Sequence, residues 1–174
     1  MAVTQQLARI PVGYLAACRQ SADASAEGDP FWDPPSADVL DLDWAPVLLE
    51  RVCELGGLDD VRRHALQQAL DGDTVIDLAF LNTPPHAIGP FGPAPTALSP
   101  AQVALAAELL DQIDFPALLA ALPADQATAA SLIGNGAENI AGGVTAYLLE
   151  HFTALREFYR TASQRRLLVV LWWD

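Results

Sequence analysis

Lysine is absent from the 174 residues, and every basic side chain is one of nine arginines. That absence excludes a Schiff-base lysine, a Walker-type phosphate lysine and a kinase-type lysine supplied by this chain. Cysteine is nearly absent too. Cys18 and Cys53 stand far apart, with no C-x-x-C pair and no neighbouring histidine, so zinc-site spacing is missing. One disulfide or two free thiols would satisfy the count, and free thiols in a reducing cytosol are the simpler reading. No stretch approaches the roughly 20 apolar residues of a membrane span. Leu15-Ala16-Ala17-Cys18 has the form of a lipobox, but Arg9 is the sole early charge, and Pro11 and Gly13 interrupt the apolar run before it.

Positive charge is scarce as well. Nine basic residues against 22 acidic ones leave a formal net charge of −13. Such a field repels nucleic acid, whose binding depends on Lys and Arg neutralising phosphates. It favours solubility and steers a basic partner inward. The excess is uneven: from Asp23 to Asp77 only Arg51, Arg62 and Arg63 oppose a long series of carboxylates. At 52% hydrophobic, the chain can bury a sizeable core and fits one domain over 1–174 in the cytoplasm.

Leu7 to Cys18 reads as a first strand, followed by a polar, proline-rich stretch from Ser21 to Pro35 that is unsuited to a helix. Within it the adjacent Phe31 and Trp32 imply that part of the loop folds back onto the body. Asp43 is placed to cap a helix beginning near Trp44, with Val47, Leu48, Val52 and Leu55 inward and Gly56-Gly57 at its end. Asp59 or Asp60 starts a second helix to about Leu70, and Val75–Leu81 reads as a strand. Five prolines between Asn82 and Leu98 make a long structured loop. Ser99, Pro100 and Gln102 form a capping box for a helix to about Ile113. Asp114 caps a short helix, and Pro123 opens another turn or helix to about Ile133.

Val144, Tyr147, Leu148, His151, Phe152, Leu155, Phe158, Tyr159 and Ala162 recur at three- and four-residue steps. At ~100° per residue they form one apolar stripe of a long helix. The run Leu167–Trp173 is then a strand covered on both faces. The chain is therefore read as α/β: a small mixed sheet covered by helices, helix-rich and three-layered.

The order of elements resembles the YfbM-like family, bacterial proteins of unknown function. The matching residues are Pro11–Leu15, Leu40-Asp41-Leu42-Asp43 before a tryptophan, Thr96–Val103, Tyr147-Leu148, Leu155–Arg160 and the apolar terminal strand. The resemblance implies a three-layer α/β domain and implies no activity. Two positions depart from the family. Its lysine between the Leu-Asp-Leu-Asp run and the tryptophan is missing, and its Tyr-Pro before the last helix is replaced by the glycine-rich segment 134–143.

Asp41, Asp43 and Trp44 form the most family-like polar cluster. In extended chain, residues two apart share a face, so two carboxylates there could act as an acid and base pair. Helix capping by Asp43 and packing by Trp44 is the simpler alternative. His86 is the side chain best placed to titrate near neutral pH, and Asp77 is its nearest candidate orienting carboxylate. His151 on the apolar stripe reads as a core histidine. Gly134-Asn135-Gly136 lacks the preceding strand of a dinucleotide loop and reads as a helix cap and connection. No nucleophile has a base at motif-defined spacing, no metal-site group is present, and no cofactor is expected.

These features point to a non-enzymatic protein, regulatory or toxin-neutralising in type, that offers an acidic face to a basic protein. Neither nucleic acid nor membrane is expected as a partner. The rival reading is a small enzyme or small-molecule binder using the Asn82–Leu98 loop, with Asp77, His86 and the Asp41/Asp43 pair converging at its rim.

Overall fold

The computed structural model describes residues 3–83 and 88–174. Its strands are β1 (Gln5–Ile10), β2 (Val39–Asp41), β3 (Thr74–Val75), β4 (Thr96–Leu98) and β5 (Leu168–Trp173). They form one sheet in the order β2-β1-β5-β4-β3. The helices are α1 (Tyr14–Ala24), α2 (Ala45–Leu55), α3 (Asp60–Asp71), α4 (Pro100–Asp111), α5 (Phe115–Ala120), α6 (Gln126–Ile133) and α7 (Val144–Gln164).

The terminal apolar run lies at the centre of the sheet, as its unbroken hydrophobicity requires. Leu7 pairs Leu171 and Ala8 pairs Val170, so the first and last strands are neighbours. Alternation then sends successive β5 side chains to opposite faces. Val169 and Leu171 enter a large core with Leu148, Phe152, Leu155 and Tyr159 of α7 and the buried faces of α2 to α6. Val170 and Trp172 enter a smaller core with Ile10, Cys18, Trp32, Leu78 and Leu81. The result is three layers, with α1 and loops as the thin one. Within the thick layer, Phe115 stacks on Phe152 at 4.3 Å between ring centroids. Tyr159, fully buried, donates its hydroxyl to the Ala69 carbonyl at 2.8 Å.

The expected α/β, helix-covered architecture is present, with one refinement: all four strand pairings are antiparallel rather than mixed. Parallel neighbours arise when a crossover helix carries the chain back to the opposite end of the sheet, where the previous strand began. Here α1 and the loop after it leave and rejoin the sheet at one end, so β1 and β2 run opposed.

Several boundaries differ from expectation. The first strand stops at Ile10 rather than Cys18, and α1 extends to Ala24, inside the stretch expected to be non-helical. Only Cys18 of α1 is fully buried, so no apolar period marks this helix. The expected strand Val75–Leu81 is a strand only at Thr74–Val75. The Asp77 carboxylate accepts the Ala79 N–H at 2.8 Å and turns the chain into a 3-10 turn over Ala79–Leu81. Trp32 is buried as expected, whereas Phe31 is exposed. The expected caps at Asp59 and Asp114 and the Ser99–Gln102 capping box all form, and Asp125 caps α6 as well. Both cysteines are free and buried, and burial pushes the Cys53 thiol up to about 12. Among the described residues no helix is long and apolar enough to cross a membrane.

A buried charge cluster ties the end of α7 to the start of β2. Asp38 accepts Arg9 Nε at 2.7 Å and Arg165 Nη2 at 3.0 Å. Hydrogen bonding from Arg165, helped by Arg9, holds its carboxyl below the ordinary range.

Candidate functional site

The site begins where β2 hands over to α2. Gln5 donates its N–H to the Asp43 carbonyl at 3.1 Å, and its own carbonyl accepts the Leu42 N–H at 2.8 Å. These bonds extend the β1–β2 ladder past Asp41. Asp43 then adopts φ +50°, a left-handed conformation that Asp tolerates better than most residues, and the chain turns into α2.

This turn overrides two expectations. Asp43 does not cap α2: Trp44 is the N-cap residue, and no side chain caps that end. Nor do Asp41 and Asp43 present paired carboxylates on one extended face. The Asp41 carboxylate instead accepts the Asp43 N–H at 2.7 Å, which supports the turn. Val47, expected inward on α2, is 50% exposed, while Leu48, Leu49, Val52 and Cys53 are buried. The buried face of α2 is centred on Leu48, Leu49, Val52 and Cys53, and Val47 lies to its side.

Asp43 is held from across the molecule. Tyr147, in the first turn of α7, donates its hydroxyl to Asp43 Oδ2 at 3.0 Å and accepts the Trp44 N–H at 3.2 Å. Burial, followed by the bond to Asp43, pushes the Tyr147 phenol up to about 12. The Tyr147 ring lies 4.1 Å from the His151 ring, and His151 Nδ1 is 2.8 Å from the Tyr147 carbonyl. His151 is half-buried at the border of the stripe.

Around this knot lies an open cleft of about 550 Å³, lined by Asp43, Trp44, Leu48, Asn135, Gly136, Asn139, Ile140, Ala141 and Tyr147. Trp44 is 56% exposed at its rim. The opposite wall is the segment after α6, where Asn135 (φ +53°) and Gly136 (φ +81°) both take left-handed conformations. Tight reversal of the chain at this point needs those φ values, which Asn and Gly adopt most cheaply. Chemically, the cleft combines a carboxylate with one oxygen engaged by Tyr147, two aromatic rings and two primary amides. Carboxylate oxygens accept N–H donors, and aromatic faces attract cations, so the set suits an ammonium or guanidinium group.

Asp41, Asp43 and Trp44 are therefore gathered at one place, and Asp77 is not with them. Asp77 accepts Arg19 Nη2 at 3.1 Å and lines hollows with Ile76 and Phe80, none of whose lining residues belongs to the cleft. Its carboxyl is held low by the Ala79 N–H and then by Arg19. His86 lies outside the described residues. Sequence reasoning assigned Tyr147 to core packing and Asn135, Gly136 and Asn139 to a plain connection. The available signals were the Asn-Gly pair and a hydroxyl on an otherwise apolar stripe.

Residues 62–172 match the family model described as a domain of unknown function, DUF1877. Asp43 and Trp44 precede that matched stretch, whereas Asn135, Gly136 and Tyr147 lie within it. No curated protein matches the chain. Among solved structures, the chain is similar to YfbM from Escherichia coli, a protein of unknown function. The identity is 13% over 98% of this chain and 99% of that one, with a TM-score of 0.58. At that identity the likeness concerns the fold alone. The glycine-rich segment 134–143 forms a wall of the cleft in this chain.

Proposed function

We propose, for a chain that belongs to the DUF1877 family, that it is a binding protein that receives a basic protein partner at the Asp43–Trp44–Tyr147 cleft. One observation carries this reading: an exposed indole stands beside a carboxylate already oriented by the hydroxyl of a half-buried tyrosine, in a cleft open to solvent. Exposed tryptophan is costly in water, and aromatic residues beside a carboxylate recur where cationic side chains dock.

The charge distribution supports the same partner. Arg9, Arg19, Arg51, Arg62, Arg63, Arg160 and Arg165 are each paired with carboxylates of the chain itself. The net charge of −13 therefore faces outward with few free cations to offset it. In this reading the chain acts in the cytoplasm as a regulator or neutraliser of a basic protein, with electrostatic steering raising the association rate.

Titration with oligo-arginine, neutral and glutamate-rich peptides of equal length tests the reading, followed by the Trp44 indole and backbone amide chemical shifts. The arginine peptide should perturb Trp44, Asn135 and Tyr147, and Asp43→Asn should weaken it about tenfold, in line with the loss of a charged hydrogen bond. Asparagine tolerates φ +50°, so that variant keeps the fold. Equal responses to the neutral and basic peptides would overturn the proposal.

A further inference from the structure

A small hollow of about 60 Å³ lies at the end of the sheet, where β1, β4 and β5 meet the last turn of α3. Gln5, Leu70, Asp71, Thr96 and Trp173 are among its lining residues. At ~30 Å³ per water, it offers the space of about two waters, so the groups around it face one small occupant. Gln5 is 2% exposed. Its Nε2 donates to the Leu70 carbonyl, which fixes the way the amide points. Its Oε1 is buried and accepts no hydrogen bond among the described residues. A buried acceptor left in that state is costly unless something donates to it or coordinates it.

The rest of the polar lining has the same sign. The carboxylate of the exposed Asp71 meets no donor among the described residues, and partial burial pushes its carboxyl up. The Glu50 carboxyl is pushed up by burial and then by this same carboxylate, so negative charge accumulates here. The Thr96 hydroxyl is spent on the Asp71 main-chain carbonyl at 2.7 Å. No arginine or histidine is among the lining residues. Leu70 and Asp71 close the 12-residue α3, whose carbonyl end carries the negative pole of the helix. Trp173 stands opposite Gln5 in the register, so its side chain leaves the sheet on the same face, and an indole face attracts cations.

We propose that this hollow is a binding site for a small monovalent cation, an alkali ion or ammonium, held by Gln5 Oε1 and the Asp71 carboxylate. A neutral donor would satisfy Gln5 alone, whereas a cation also answers the carboxylate and the helix end. One lining carboxylate matches one positive charge. Calcium takes about six to eight oxygens, several of them from carboxylates. Among the described residues no three carboxylate, imidazole or thiol side chains come together as a multivalent ion would need. The bound cation ties β1 to the end of α3 and so stabilises the fold.

Thermal melting of the full chain in sodium, potassium, ammonium and tetramethylammonium chlorides at equal ionic strength tests this. Tetramethylammonium carries the same charge but is too large for the hollow and has no N–H. A ligand that binds only the folded chain raises its melting temperature, so the best-fitting small cation should add about 3 °C over tetramethylammonium. The Gln5 side-chain amide and Trp173 indole shifts should move and saturate in that salt, which also tells an alkali ion from ammonium. Asp71→Asn should erase the difference, and the Thr96 bond, made to main chain, keeps that corner folded. Glu138→Gln removes an equal charge from an exposed residue outside the hollow and should leave the difference intact. Equal melting temperatures in all four salts would mean that the hollow takes water alone. Survival of the difference in Asp71→Asn, or its loss in Glu138→Gln, would reveal general screening in place of a site. Any of these three results overturns the proposal.

Discussion

Tyr147 couples two parts of the chain more than 100 residues apart, because one hydroxyl serves both as donor to Asp43 and as acceptor from Trp44. A phenylalanine would pack in the same place and leave both partners unmatched, which is why the residue is a tyrosine on an apolar stripe. Its phenol is pushed up to about 12 from an ordinary 10.0. The sign follows from that direction: the neutral phenol stabilises the fold fully below pH ~10, and the contribution is lost as pH rises towards 12. Tyr14 and Tyr159, the other two tyrosines, are raised as well, both chiefly by burial. Absorbance at 295 nm should therefore show the phenolate steps of the folded chain displaced upward from pH 10. A single tyrosine titrating at its ordinary value would contradict the burial described here. The charge cluster at Asp38 follows the same logic with the opposite sign. Its carboxyl is held low, so its stabilisation is present at neutral pH and lost below the ordinary carboxylate range.

At the scale of elements, glycine positions separate close packing from mere backbone freedom. Gly72 ends α3 at φ +70°, and a Cβ there would fall 2.2 Å from Thr96 Oγ1, the hydroxyl that donates to the Asp71 carbonyl. Gly57, after α2, has the same φ and open space around it. Gly72→Ala should cost about 2–3 kcal/mol in urea denaturation, from combined strain and overpacking. Gly57→Ala should cost about 1 kcal/mol, from strain alone. Equal losses would mean that the α3–β4 contact is not tight. Elements with local chemical signals were readable in advance: the caps at Asp59, Ser99 and Asp114, and the period of α7. Helix α1 was not, because it buries little and its start carries no capping side chain. The end of β2 was not, because φ +50° at Asp43 depends on partners in β1 and α7.

For the whole molecule, self-repulsion is the dominant electrostatic fact. With a net charge of −13 and most arginines already paired, adding sodium chloride should raise the melting temperature before any specific ion effect sets in. Surface ion pairs are weakened by the same salt, but each is worth only ~0–1 kcal/mol, and the long-range repulsion outweighs their loss. A melting temperature that falls steadily with salt between low and physiological ionic strength would show that the ion pairs, and not the repulsion, govern stability.

The residue order alone determined the layers: a seven-residue apolar run can only be central, and a long one-sided helix can only lie across it, because both follow from local periodicity and burial. It also determined the net charge of −13. Only the tertiary structure decided the site. Asp43, Asn135 and Tyr147 are distant in sequence, and each takes its role from a neighbour that folding alone supplies: a carbonyl ladder from β1, a hydroxyl from α7 and a left-handed turn after α6. Periodicity reports which face is buried. It carries no information about which polar atom meets which across the sheet end.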